Sequence, residues 1–270
     1  MDLRAMTAEA ATAATGRTHR RDEVLERTGG PAGNATLTAW TGLVLLALSV
    51  LELVTLLDVR GLLSWHVAIG ALLIPPALLK TGTTGWRIIS YYRGNAPYRR
   101  AGPPPILLRA LGPLVVASTL AVLGTGVALV LIGPADSRRS LIGIAGQQVD
   151  LLMLHKASFV LWAAATGLHV IGRAIPALRL TVLRPDPTGS IPGRAIRAAT
   201  IAVTLLVAAT AAVLVLGQDG PWRAEPRHFG RRPGIHAMDG KPTGTRLLKG
   251  ADSEVTPLTL SHPGHSVPSN

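Results

Sequence analysis

The sequence predicts an all-α integral membrane protein, a four-helix bundle joined by a fifth transmembrane helix. Three observations predict it. Of 270 residues 48% are hydrophobic, yet only two are Phe and three Tyr, so the apolar mass is Leu, Val, Ala and Ile. These residues gather into long runs instead of alternating with polar ones, and ~20 such residues cross ~30 Å of hydrocarbon as a helix. Clusters of Gly and Pro, GNAPYRRAGPPP and RPDPTGSIPG, punctuate the runs.

Residues 1–36 are Ala/Thr-rich with mixed charges. They carry too little apolar surface to offset ordering entropy, which predicts a disordered cytoplasmic arm without a removable signal peptide. A four-helix transmembrane domain follows over 37–172. Its spans are Leu37–Leu57, Leu62–Lys80, Leu107–Ile132 and Asp150–Ile171. Pro75 and Pro76 lie inside the second, where a membrane helix tolerates proline at the expense of a kink. After it, GWRIISYYRGNAPYRR has the aromatic and arginine content of an interfacial belt. A cytoplasmic loop covers 173–197, the fifth helix 198–217 (apolar over Ala198–Leu216), and a flexible external tail 218–270. No strands are apparent, and no G-x-G-x-x-G motif follows one, so flavin and nicotinamide sites are not expected.

The net charge of +12 is distributed between the spans rather than on one face, which argues against nucleic acid as a partner. Five arginines lie in the N-terminal arm, four between spans two and three with Arg109 just inside the third span, and five between spans four and five. The alternate loops hold only Arg60, or Arg138 and Arg139. Basic loops stay cytoplasmic, so the expected protein is a multi-pass cell-membrane protein with its N-terminus inside and its C-terminus outside. The chain has no cysteine, which excludes disulfides, iron–sulfur clusters, thiolate zinc sites and covalent c-type haem.

Of eight histidines, only His66, His155 and His169 lie in spans. Spans two and four both start outside, and each places its first histidine at nearly the same depth, ~8 Å below the outer surface for His66. Two imidazoles on different helices at one depth suit a bis-histidine haem, each helix contributing one axial nitrogen. His169 follows His155 by 14 residues. At 100° and 1.5 Å per residue it returns to within ~40° of the same face, ~21 Å along the helix.

With WHVAIG in span two and LHKASFVLWAAATGLH in span four, residues 37–172 resemble the di-haem b-type cytochrome family. That family includes the membrane subunits of formate dehydrogenases and nickel hydrogenases. The resemblance implies an outer haem b on His66 and His155. It implies an inner haem joining His169 to a histidine of the first helix. Here the chain departs from the family, because span one, LTAWTGLVLLALSVLELVTLL, has no histidine, and His19 lies before it. Helix packing, or contact with a quinone headgroup, is the alternative role for His169.

Glu52 falls near the depth of His66, where an intramembrane carboxylate is a functional candidate. It could orient a ligand imidazole through the ring's second nitrogen, be protonated, or face a water cavity. Gly70, one turn after His66, could leave room for a macrocycle or bring helices close. Lys80, 14 residues after His66, is expected to snorkel to the cytoplasmic interface. The reading that follows is a membrane b-type cytochrome passing electrons from a quinol to an external redox partner, a link in a chain rather than a self-sufficient enzyme. Its rivals are a cofactor-free helical scaffold, and a small transporter with Glu52 and the histidines as a proton relay.

Overall fold

The computed structural model describes residues 3–15, 22–102, 106–144, 146–181 and 191–224. In chain order the helices are α1 (Leu3–Ala14), α2 (Gly30–Thr55), α3 (Leu63–Tyr92), α4 (Ala96–Ala101) and α5 (Ile106–Ile132). Then come α6 (Pro134–Ser137), α7 (Leu151–Thr181), α8 (Arg194–Leu216) and α9 (Gly220–Arg223), with strands β1 (Ile142–Ile144) and β2 (Gln147–Val149) between α6 and α7. Among the described residues, five helices are long and apolar enough to cross a membrane: α2, α3, α5, α7 and α8. In hydrocarbon every backbone N–H and C=O must be paired within the segment, and helices achieve this. The chain is therefore an all-α, multi-pass membrane bundle.

Several boundaries differ from the expected ones, each for a local reason. The arm is not wholly irregular, because Leu3–Ala14 is a helix packed against α5 and α7. Its alanines have the highest intrinsic helix propensity. The first span starts at Gly30 rather than Leu37, with Pro31 in its first turn, where a missing N–H costs nothing. The second runs unbroken through Pro75 and Pro76 to Tyr92, so the aromatic–arginine segment continues the same helix. Strands do occur. β1 and β2 form an antiparallel hairpin with Ile142 opposite Val149 and Ile144 opposite Gln147; three residues each is too short for alternation to show in a sequence. The fifth span is followed by α9, so the tail begins with ordered structure. The expected loop 173–197 is helical up to Thr181 and again from Arg194; residues 16–21 of the arm, 182–190 of that loop and the tail from 225 lie outside the described residues, and with them the expectations made for those stretches.

The arrangement of the long helices positions everything else. α2 packs against α3 and α7, and α5 packs against the same two helices. α3 and α7 therefore occupy one diagonal of a four-helix square, and α8 lies outside it against α3. Small residues let α8 approach: Ala68 and Ala71 of α3 meet Ala212 of α8, flanked by Leu72, Val215 and Leu216. Close backbone approach through small side chains is the main source of packing energy where lipid removes the hydrophobic drive.

The starts of α2 and α8 are locked together. A Cβ on Gly29 would lie 2.6 Å from Ile191 Cγ2, and its φ of 74° is one that only glycine adopts without strain. Arg197, 7% exposed, donates to Pro192 O at 2.6 Å and Ile191 O at 2.9 Å. Those carbonyls precede α8, so the guanidinium caps the chain entering the helix. Threonines within the spans return their hydroxyl protons to their own helix, as Thr36 does to Ala32 O and Thr41 to Leu37 O.

Candidate functional site

At the end of the bundle where α3 and α7 begin, His66 and His155 face one another across the diagonal. Their ring centroids are 6.4 Å apart and their planes 83° from parallel. Helix order explains the meeting. The two helices run in the same direction from the same end, and each histidine lies in the first turns.

Each imidazole is held at Nδ1. His66 Nδ1 lies 2.8 Å from Glu52 Oε1 and 3.1 Å from Thr55 Oγ1, both from α2. Thr55 donates its only proton to Glu52 O at 2.6 Å, so its oxygen can only accept from the ring. His155 Nδ1 lies 3.0 Å from Thr125 Oγ1 of α5. Thr125 likewise donates to its own helix, at Ala121 O (2.7 Å) and Val122 O (3.1 Å). A carboxylate and two hydroxyl oxygens whose protons are spent all demand a proton on Nδ1. Both rings are thereby set in one tautomer, with the lone pair on Nε2. This is the arrangement in which a ligand histidine binds a metal while an outer partner fixes its orientation.

The distance can be tested against that use. A metal–imidazole bond is about 2.0–2.1 Å, and a ring nitrogen lies about 1.1 Å from the ring centre, so two imidazoles on opposite sides of one metal have centroids about 6.3 Å apart. The observed 6.4 Å fits. Among the described residues no group of three or more His, Cys, Asp or Glu side chains that could hold a metal ion gathers.

Of the glycines, Gly126 is the one the site needs. A Cβ there would sit 3.3 Å from His155 Cε1. Gly70 borders the site more loosely, its added Cβ 3.7 Å from Glu52 Oε1. From two turns below His66 an apolar cleft of about 260 Å³ lies between Ile74, Ala77 and Leu78 of α3 and Leu120, Leu123 and Gly124 of α5. α9 crosses the same end of the bundle. Asp219, 1% exposed, accepts from Ser64 Oγ at 2.6 Å, and Trp222 Nε1 donates to Leu129 O at 3.0 Å. Ser64 is two residues before His66 and Leu129 one turn after Thr125, so this short helix ties the α3 and α5 walls of the site together.

The structure brings Glu52, His66 and His155 together and leaves His169 apart, near the opposite end of α7. His169 Nδ1 is buried without a hydrogen-bond partner. Lys80, which acts on it electrostatically, does not snorkel outwards: its Nζ donates to Thr38 O of α2 at 3.1 Å. Sequence reasoning missed Thr55, Thr125 and Thr38. The available signal was a hydroxyl residue at histidine depth inside an otherwise apolar run, but which helix it would face depends on packing.

No protein-family model, curated protein or solved structure matches this chain.

Proposed function

We propose that the chain is a membrane b-type cytochrome, with His66 and His155 as the axial ligands of one haem b. The observation that carries this reading is the diagonal imidazole pair, 6.4 Å between centroids, with both rings anchored at Nδ1. Haem b, when bound, supplies one-electron chemistry, and the protein tunes it through axial ligands, outer hydrogen bonds and burial. Glu52 and Thr55 hold the His66 ring and make its Nε2 more basic. Thr125 does the same for His155 with a neutral acceptor, so the two ligands are inequivalent. Gly126 keeps the space beside His155 open. The aliphatic walls exclude water, and a low dielectric strengthens every electrostatic contact in the site.

In this reading the electron donor is a membrane quinol, a lipid-soluble molecule suited to the apolar cleft between α3 and α5. The acceptor is an external redox partner at the end of the bundle carrying His66. The arginine distribution supports a cytoplasmic N-terminus and an external C-terminus. The protein then acts as an electron-transfer subunit of the cell membrane.

The cofactor-free scaffold treats the same ring pair as an edge-to-face packing contact, which spans about 4.5–7 Å, and gives the two Nε2 lone pairs no role. The proton relay is favoured by one observation, the 2.8 Å contact of Glu52 with His66. A reduced-minus-oxidised spectrum with haem quantitation separates these readings, using detergent-purified wild type and His66→Ala. One haem b per chain, lost in the variant, is the expected result. Colourless, well-folded wild type sinks the cytochrome reading, and proton-coupled uptake abolished by Glu52→Gln then favours the relay.

A further inference from the structure

A second polar site lies at the other end of the bundle, and its chemistry is unlike the first. Lys80 follows His66 by 14 residues and His169 follows His155 by 14, so the diagonal that pairs two imidazoles at one level pairs an amine with an imidazole at the next. Arg173, one turn beyond His169 on α7, acts electrostatically on both.

The donors here outnumber the acceptors. An ammonium has three protons to give, and Lys80 makes one hydrogen bond, to Thr38 O at 3.1 Å. The Nζ lies in a notch over Gly42, where a Cβ would come within 2.8 Å of it. His169 Nδ1 is buried and unpartnered. Arg173 makes no hydrogen bond or ion pair among the described residues. The carboxylate that acts on Arg173 is Asp22, and Asp22 already holds Arg87 with two bonds, 2.6 and 3.2 Å. Two cations and an imidazole on diagonal helices thus lie within electrostatic range of one another, and the carboxylate acting on Arg173 is Asp22, already bonded to Arg87. A charge left in that condition inside a membrane bundle is costly unless an anion joins it.

Depth narrows the class of anion. From Leu63, Lys80 is ~26 Å along α3, near the far edge of a ~30 Å hydrocarbon core where lipid phosphates begin. We propose that Lys80, His169 and Arg173 form a binding site for a phosphate group, that of an anionic lipid or a free phosphate. The phosphate's oxygens accept from the two unspent protons of Lys80 and from the fork of Arg173, and its charge offsets theirs. The site needs no haem, so it stands or falls separately from the cytochrome reading.

Native mass spectrometry on the full chain in neutral detergent tests it, with phosphatidylglycerol, phosphatidylcholine or inorganic phosphate as the added probe. The expected result is retention of phosphatidylglycerol over phosphatidylcholine, reduced about fivefold per cation removed. The Lys80→Gln/Arg173→Gln double variant then approaches parity and Lys80→Arg keeps the preference. If inorganic phosphate binds wild type, is lost in the double variant, and phosphatidylglycerol shows no preference, the site stands and its phosphate is a soluble one. Circular dichroism checks that the variants fold. Arg173→Gln alone, which leaves Lys80 on Thr38 O, gives about a fivefold loss if the double variant does not fold. Neither probe binding wild type, or a lipid preference unchanged in the variants, overturns the proposal.

Discussion

Two hydroxyl groups and a carboxylate do most to define the candidate site at the level of single residues. Glu52→Gln removes the negative acceptor from His66, and Thr125→Val keeps the shape beside His155 while removing its acceptor. Loss of such outer partners costs about 10–100-fold in affinity for a bound group, so under the proposed cytochrome reading both variants are expected to lose haem faster during gel filtration in detergent. With haem b bound as proposed, an anionic partner would stabilise the more positive, oxidised iron, so Glu52→Gln is also expected to raise the midpoint potential in a redox titration, and Thr125→Val to move it less. Size gives a second prediction. An added methyl at Gly70 meets Glu52 at ordinary contact distance, whereas one at Gly126 already crowds His155. Gly70→Ala is expected to retain haem and Gly126→Leu to lose it, measured as haem per folded chain.

Between elements, the packing depends on polar clamps at the helix ends and small residues between them. Arg197 is the clearest clamp, because its guanidinium bonds the two carbonyls that lead into α8 beside the start of α2. Bonds from a charged donor contribute about 1.5–3 kcal/mol, and Arg197→Ala leaves both carbonyls without that partner. The variant is expected to lose about 2–3 kcal/mol of stability, read as a lower thermal unfolding temperature in detergent, with haem content per folded chain unchanged. The last clause separates the clamp from the site, since Arg197 lies at the opposite end of the bundle from His66. The helices themselves were legible as long apolar runs. Their ends were less so: α3 continues past Lys80 to Tyr92 and α2 starts before Leu37, because helix capping and continuation do not require an apolar sequence.

The whole molecule carries an asymmetry of charge that predicts its orientation. Basic residues cluster at the ends of α3 and α7 and the starts of α5 and α8, while the α5–α7 connection is poor in them. The absence of cysteine makes a direct test simple. Arg139→Cys, in the exposed α5–α7 connection, is expected to react with a membrane-impermeant maleimide on intact cells. Arg99→Cys, exposed on α4, is expected to react only after the membrane is opened. The reverse pattern would invert the topology and place the His66 end inside.

Composition and run length were enough for the spans, because crossing hydrocarbon imposes a length and an apolarity on each segment separately. The shared depth of His66 and His155 was also in the sequence, since depth is counted along one helix at a time. What meets what was not. That Glu52 and Thr55 reach His66, that Thr125 rather than a charged group reaches His155, and that Lys80 turns onto Thr38 all follow from the square of α2, α3, α5 and α7. Rotation and order of helices are set by packing small against large side chains across several elements at once, and no single run of residues contains that information.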